Sequence, residues 1–345
     1  MPGRRGIARR PGWMHGGQRV LGWFALGVTG LCAVGSGCQV VAAQRDRRRF
    51  PPPGRMVDVG GFRLHMDVRG DDRGAPTVVL EAGLGSFSPN WHWVHTELAK
   101  TLRVVAYDRA GLGWSDPSPA PRDAESMATE LHAALHRADI GGPYVLAGHS
   151  FGGLVVRAFA DRYPTETAGL VLVDASHPDQ WARWPVRHAD RMLQISQRVT
   201  AAAARVGLLR VVDLSAAVSA GLPARQAAEL RARTALPTTS VTEAVQMKAW
   251  AQTRRHLDEA QPLGDLPLAV IGVGVQPFGG PTLTALQDEL PGLSTNSARR
   301  IIAAATHESL VANRVHATPV TDAIRAVVDA AAGGRVETAW TARES

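Results

Sequence analysis

The sequence predicts an α/β protein: a mostly parallel sheet flanked by helices, with a helical cap insertion. Three observations carry that expectation. From Arg55 onward, short apolar runs of strand length alternate with segments of helical spacing, the rhythm of a parallel sheet covered on both faces. Between about residues 178 and 264 the strand signal vanishes and returns afterwards, which suits an insertion better than a separate helical domain. A serine flanked by glycines stands between one strand and the helix after it. Hydrophobic residues make up 45% and charged ones 20%, enough apolar surface to build that core.

The chain begins with a basic leader. Residues 1–55 hold ten arginines against one acid, Asp46, so the formal net charge of +7 leaves the other 290 residues at −2. Positive charge in a leader and not on a folded surface excludes a basic domain that grips nucleic acid. Val20 to Ala43 is a run of 24 residues without a charge, between Arg4, Arg5, Arg9, Arg10 and Arg19 on one side and Arg45, Arg47, Arg48 and Arg49 on the other. As a helix it reaches about 36 Å, against a hydrocarbon core of about 30 Å. We read it as an uncleaved signal-anchor. A cleaved signal peptide with Val20–Val34 as its core, and hence secretion, is the alternative. A lipoprotein signal fits less well, because Gly35-Ser36-Gly37-Cys38 lacks a larger apolar residue three before the cysteine. The arginine balance leans towards an inside N-terminus and a body outside the cytoplasm. Cys32 and Cys38 are the only cysteines, so the body has neither a disulfide framework nor a thiolate metal site. Pro51-Pro52-Pro53-Gly54 reads as a stiff spacer.

The body follows in order. Met56–Val59 and Phe62–Val68, joined by Gly60-Gly61, read as a hairpin. Strands are expected at Thr77–Glu81, Val104–Tyr107, Tyr144–Ala147, Leu170–Val173, Leu268–Ile271 and Ile301–Ala304, and helices at Trp91–Leu102, Arg122–Ala138, Gly152–Tyr163 and Pro319–Ala332. The folded body is expected over residues 55–333, followed by a tail over 334–345.

Gly148-His149-Ser150-Phe151-Gly152 lies between a strand and a helix, the context that gives G-x-S-x-G its meaning. A sharp, strained bend projects Ser150 beyond the sheet edge, small residues keep backbone clear of it, and the following helix points its N-terminus at the hydroxyl. On these residues the chain resembles the α/β-hydrolase superfamily. Leu80-Glu81-Ala82-Gly83-Leu84-Gly85-Ser86 stands where that family has its oxyanion loop. Tyr107-Asp108-Arg109-Ala110-Gly111-Leu112-Gly113-Trp114-Ser115 matches its Asp-x-Arg-Gly-x-Gly-x-Ser turn, with Ala110 for a glycine. The resemblance implies Ser150 as nucleophile and the backbone N–H groups of Leu84 and Phe151 as oxyanion hole, while Asp108 and Arg109 brace the fold. His149, inside the elbow, is read as structural.

A serine hydroxyl needs a base, and in this family the order is Ser, then Asp or Glu, then His after the last strand. Of His177, His188, His256, His307 and His316, only His307 directly follows an apolar strand, with His316 as fallback. The segment after the penultimate strand, Ile271-Gly272-Val273-Gly274-Val275-Gln276-Pro277, has no carboxylate. Asp174, ending the strand before the insertion, is therefore the expected acid. Some relatives place the acid there, whereas a turn-capping aspartate is the plainer account of it. Asp288 and Glu289 are runners-up, with solvated helix surface as their simpler explanation.

Dehalogenases and epoxide hydrolases of this family use an aspartate where Ser150 stands, so the resemblance implies acyl transfer on an ester-type bond. C–C bond hydrolysis by the same triad, and an inactive tethered binding protein, are the alternatives. No cofactor motif and no His/Glu cluster of metal-ligand spacing stands out in the sequence, so no cofactor and no metal is expected. The expected partner is a small molecule with an apolar acyl part, with Phe87, Trp91, Trp93, Trp181, Trp184 and Trp250 as candidate lining.

Overall fold

The computed structural model describes residues 13–274 and 280–344; Arg4, Arg5, Arg9 and Arg10 of the leader, and Val275, Gln276 and Pro277, lie outside the described residues. Eight strands form one sheet: β1 (Arg55–Asp58), β2 (Arg63–Arg69), β3 (Thr77–Glu81), β4 (Val104–Tyr107), β5 (Tyr144–His149), β6 (Thr167–Val173), β7 (Leu268–Val273) and β8 (Ser297–Ile302). Their order is β1-β2-β4-β3-β5-β6-β7-β8. β1 and β2 form an antiparallel hairpin, β2 joins β4 antiparallel, and every later pairing is parallel. The central strands β3, β5 and β7 are buried along their length, as expected of a sheet packed on both faces.

One face packs under the helices Ala124–Arg137 and Gly152–Arg162, the other under His92–Leu98, Arg314–Ala330 and Val336–Glu344. Between β6 and β7 lie six helices, from Gln180–Arg183 to Trp250–Glu259. They form a layer over the C-terminal edge of the sheet, where Ser150 and Asp174 stand; we call this layer the cap.

Four elements of the body differ from the sequence expectation, the first being the closing helix, which runs over Arg314–Ala330 and carries Pro319 inside it where the sequence reading starts the helix at that proline. The helix expected over Trp91–Leu102 begins as a 3-10 turn at Ser88–Trp91 and ends at Leu98. The strand expected at Ile301–Ala304 is β8, shifted towards the N-terminus. As an edge strand it pairs only with β7, so it tolerates Arg299 and Arg300, which meet Asp288 and the Glu337–Glu344 pair. Residues 334–345, expected as a tail, contain the helix Val336–Glu344. Only Val336 and Trp340, four apart on one face, are buried there, too few to register as a periodic stripe.

The leader forms a helix, Trp13–Arg49, in which Leu26–Arg49 is long and apolar enough to cross a membrane by length and composition. The helix does not stop at Ala43 but runs through the arginines. Its C-terminal end touches the cap: Gln39 Nε2 donates to the Ala235 carbonyl at 2.9 Å and Arg210 Nε to Gln39 Oε1 at 2.8 Å, while Arg210 pairs with Asp46.

Candidate active site

Ser150 sits at the β5–helix junction with φ of 54°, in the left-handed region that bulky residues avoid. Asp174, at the end of β6, has φ of 42°. Two of the four non-glycine residues with positive φ among the described residues thus meet at one edge of the sheet. Hydrogen bonds hold the bend: Ser150 N donates to the Val173 carbonyl, and Gly153 N and Ser176 N donate to the Ser150 carbonyl, all at 3.0 Å. The flanking glycines are required by contact. A Cβ on Gly148 would lie 2.6 Å from the Gly152 carbonyl oxygen, and one on Gly152 within 2.7 Å of the carbonyl oxygens of Glu81 and Ala82.

His307 follows β8, and its Nδ1 lies 2.5 Å from Asp174 Oδ2. The Asp174 side chain is fully buried and its Oδ1 accepts from Gln287 Nε2 at 2.9 Å. Burial opposes charge on both groups. Their mutual hydrogen bond and attraction win, so the His307 imidazole is raised above its ordinary pKa and the Asp174 carboxyl is lowered. His149, fully enclosed and facing His307, is pushed down to about 3 by burial and by that neighbour. It is therefore neutral, and its Nε2–H donates to the His307 carbonyl at 3.0 Å, fixing the loop that carries the histidine. Ser150, Asp174 and His307 line one cavity of about 390 Å³, and Ser150 and His307 also border a second of about 480 Å³.

The loop of Leu84 is braced from below. Arg109, 2% exposed, donates to the carbonyls of Ala82 and Gly83 at 2.5 Å each and pairs with Glu81. Burial pushes the Glu81 carboxyl up and Arg109 pulls it back. Leu84 and Phe151 both border the larger cavity. Asp108 takes the purely structural part, accepting from Ser88 N at 2.8 Å, Trp114 N at 2.9 Å and the His65 ring.

The other candidates fall elsewhere. Asp288 pairs with Arg299, Glu289 with Arg183, and His316 Nδ1 meets Ser309 Oγ at 2.8 Å. Of the aromatic residues proposed to line the pocket, Trp181, Trp184 and Trp250 do so. Phe87 and Trp91 are buried in the core, and Trp93 Nε1 donates to the Gly221 and Ala312 carbonyls. Two residues escaped the sequence reading. Gln287, which carries no charge and stands beside Asp288, orients Asp174. Gln180 borders both cavities with its buried Oε1 unpartnered. The expectation of no His/Glu cluster is also corrected: His132 and His136 place Nε2 at 2.8 and 2.9 Å from the two oxygens of Glu166. The i, i+4 spacing of the histidines was visible, but Glu166 comes from a distant turn. This trio lies at the start of β6, the opposite sheet edge from Ser150, and could hold a metal ion only there.

A family model described as "alpha/beta hydrolase fold" matches residues 76–268, and the chain belongs to that family. Among solved structures, it is similar to a thermophilic esterase from Thermogutta terrifontis, with 22% identity, coverage of 80% of this chain and 98% of that one, and a TM-score of 0.59. It is likewise similar to an enol-lactonase from Burkholderia xenovorans, with 21% identity, coverage of 80% and 100%, and a TM-score of 0.58. At such identities the likeness shows the fold alone. Among curated relatives, the protein of Hormonema carpetanum named "Probable transporter efuK" is 37% identical over 139 residues, 38% of this chain and 20% of that protein. The chain spans between a fifth and about half the length of the curated relatives it matches first.

Proposed function

We propose that the chain is a membrane-anchored serine hydrolase that cleaves carboxylic esters through an acyl group on Ser150. The observation that carries this reading is the His307–Asp174 pair opening onto the cavity that Ser150 lines from its strained bend. In this reading Asp174 holds the Nδ1 proton of His307, leaving Nε2 free to take the Ser150 proton as Oγ attacks the substrate carbonyl. The N–H groups of Leu84 and Phe151 receive the developing oxyanion. Nε2–H then protonates the departing alcohol, and water, activated by the same nitrogen, releases the acid and restores Ser150.

The substrate class follows from the lining. The cavities meet at Ser150, so each can take one half of an ester, and Trp181, Trp184, Leu193, Met247 and Trp250 make the larger lobe apolar. Gln180 Oε1 offers an acceptor to a hydroxyl or amide N–H beside the bond. The esterase and lactonase folds agree with this chemistry by analogy, and the apolar leader helix supports a tether. The test is hydrolysis of p-nitrophenyl acyl esters by the detergent-solubilised chain. Activity that favours medium or long acyl groups, and falls at least about a thousandfold in Ser150→Ala, is the expected result. Correctly folded protein that cleaves none of them overturns the proposal in favour of a tethered binding protein.

A further inference from the structure

The cap carries exposed apolar side chains that no described residue covers. On the helix Ala189–Arg205, Met192, Ile195 and Val199 recur at helical spacing on one face, and each is 60–63% exposed. Leu208, Val211, Val212 and Leu214 extend the patch through the next turn, with Val211 at 80%. Arg191, Arg198 and Arg205, also exposed, recur every seven residues along the same helix. Clustered exposed apolar side chains mark an interaction site when they share a face, and an apolar strip with arginines beside it is the pattern of a helix lying in a membrane interface.

The leader helix identifies the occupant. Starting at Val20, the first residue after Arg19 in the uncharged run, a core of about 30 Å needs about 20 residues, which reaches Gln39. Contact with the cap begins earlier. A Cβ on Gly35 would fall 2.3 Å from the Val206 carbonyl oxygen, and Gln39 bonds to Ala235 and Arg210. The last part of the span, about 6 Å of rise from Gly35 to Gln39, therefore overlaps the segment that leads into Leu208–Leu214. A cap seated at that level dips into the outer bilayer to about the depth at which interfacial helices lie.

We propose that the outer face of Ala189–Arg205 and the Leu208–Leu214 segment is seated in the lipid bilayer. Its inner face, through Ala189 and Leu193, walls the Ser150 cavity. A single helix thus separates lipid from the site, and the ester reaches Ser150 from the membrane and not from water. The docking surface stands on the apolar patch and the helix contacts; only the delivery of substrate rests on the hydrolase reading.

The experiment uses the full chain with Cys32→Ser and Cys38→Ser, reconstituted at one copy per nanodisc containing anionic lipid. An environment-sensitive fluorophore is attached at Ile195→Cys or, as control, at Lys100→Cys. Lys100 is exposed and precedes β4 at the opposite edge of the sheet. The expected result is a blue-shifted label at position 195, quenched by shallow spin-labelled lipid, beside an unshifted and unquenched label at position 100. A label at 195 as water-exposed as the control overturns the proposal. So does a label shielded only when several copies share a vesicle, which would mean that a second chain covers the patch. A parallel arm compares Ile195→Asp with the parent chain, predicting about a tenfold loss on a long-chain ester dissolved in the bilayer and no change on a soluble short ester. Loss of both activities in the parent chain would sink the hydrolase reading while the fluorescence still reports on the docking.

Discussion

Replacing Asp174 by asparagine exchanges one carboxylate oxygen for an amide at almost constant volume. The surroundings dictate which way the amide faces. Gln287 Nε2 donates to Oδ1 at 2.9 Å, so the asparagine keeps its oxygen there and turns its NH2 towards His307 Nδ1, which now sits 2.5 Å from Oδ2. A donor at that position forces Nδ1 to accept, placing the imidazole proton on Nε2, where it can no longer take a proton from Ser150. The expected loss in kcat/KM is about 10⁴-fold, the size seen when the same change is made in a serine protease, or about 5.4 kcal/mol. Assay of the full chain on a soluble ester reads it directly. The wild-type pH profile supplies a second sign: the proposed mechanism needs neutral His307, whose pKa lies above the ordinary 6.5 because Asp174 outweighs burial. The acid limb should therefore have its midpoint above 6.5, and in Asp174→Asn the residual activity should titrate lower. Adding Gln287→Ala frees the amide to rotate and should restore a few-fold to about a hundredfold. An Asp174→Asn protein within tenfold of wild type would refute the reasoning.

Three further outcomes are expected. Arg109→Met leaves the buried Glu81 carboxyl without its charged partner, with only the Tyr107 hydroxyl donating to it, and should cost about 3–5 kcal/mol of stability, with kcat falling further than KM changes; thermal unfolding and kinetics separate the two. Glu243, pushed up to about 7 by burial with Arg109 opposing, binds a proton in the folded state that the unfolded chain releases near 4.5, so its ionisation costs stability as pH rises through that window. Glu243→Gln should therefore gain about 1–3 kcal/mol at pH 8, shrinking towards zero below pH 5; a gap that does not vary with pH would contradict it. Trp340→Ala should cost about 3–5 kcal/mol, because Trp340 is 1% exposed under the Arg300 guanidinium; an unchanged Tm would show that the last helix contributes nothing.

The buried strands were legible because mostly apolar side chains fit between two helical layers, polar ones such as Thr77 and Glu81 standing at the strand ends: Thr77–Glu81 and Val104–Tyr107 stand where the sequence puts them. β8 was legible only at its apolar end, Ile301 and Ile302, since an edge strand open on one side accepts Arg299 and Arg300, and its charged half reads as loop. In the site, Ser150 could be picked out because its bend needs Gly148 and Gly152 in the chain beside it. His307 and Asp174 could be named from their places after strands, but their approach depends on how β6, β7 and β8 lie side by side. Gln287 and Gln180 were invisible. An uncharged amide on a helix has no periodicity to betray it, and its role comes wholly from what it faces. Arg109 was read as a brace for the fold; its contacts with the carbonyls before Leu84 bring that brace to the edge of the chemistry.

The central claim is that Ser150 is an activated nucleophile, and its most direct test is covalent. The full chain in detergent is treated with a fluorophosphonate at neutral pH and the adduct located by peptide mass. The account predicts one adduct per chain, on Ser150, absent in Ser150→Ala and formed far more slowly in His307→Ala. Folded protein that takes up no label, or takes it up on another residue, would contradict it.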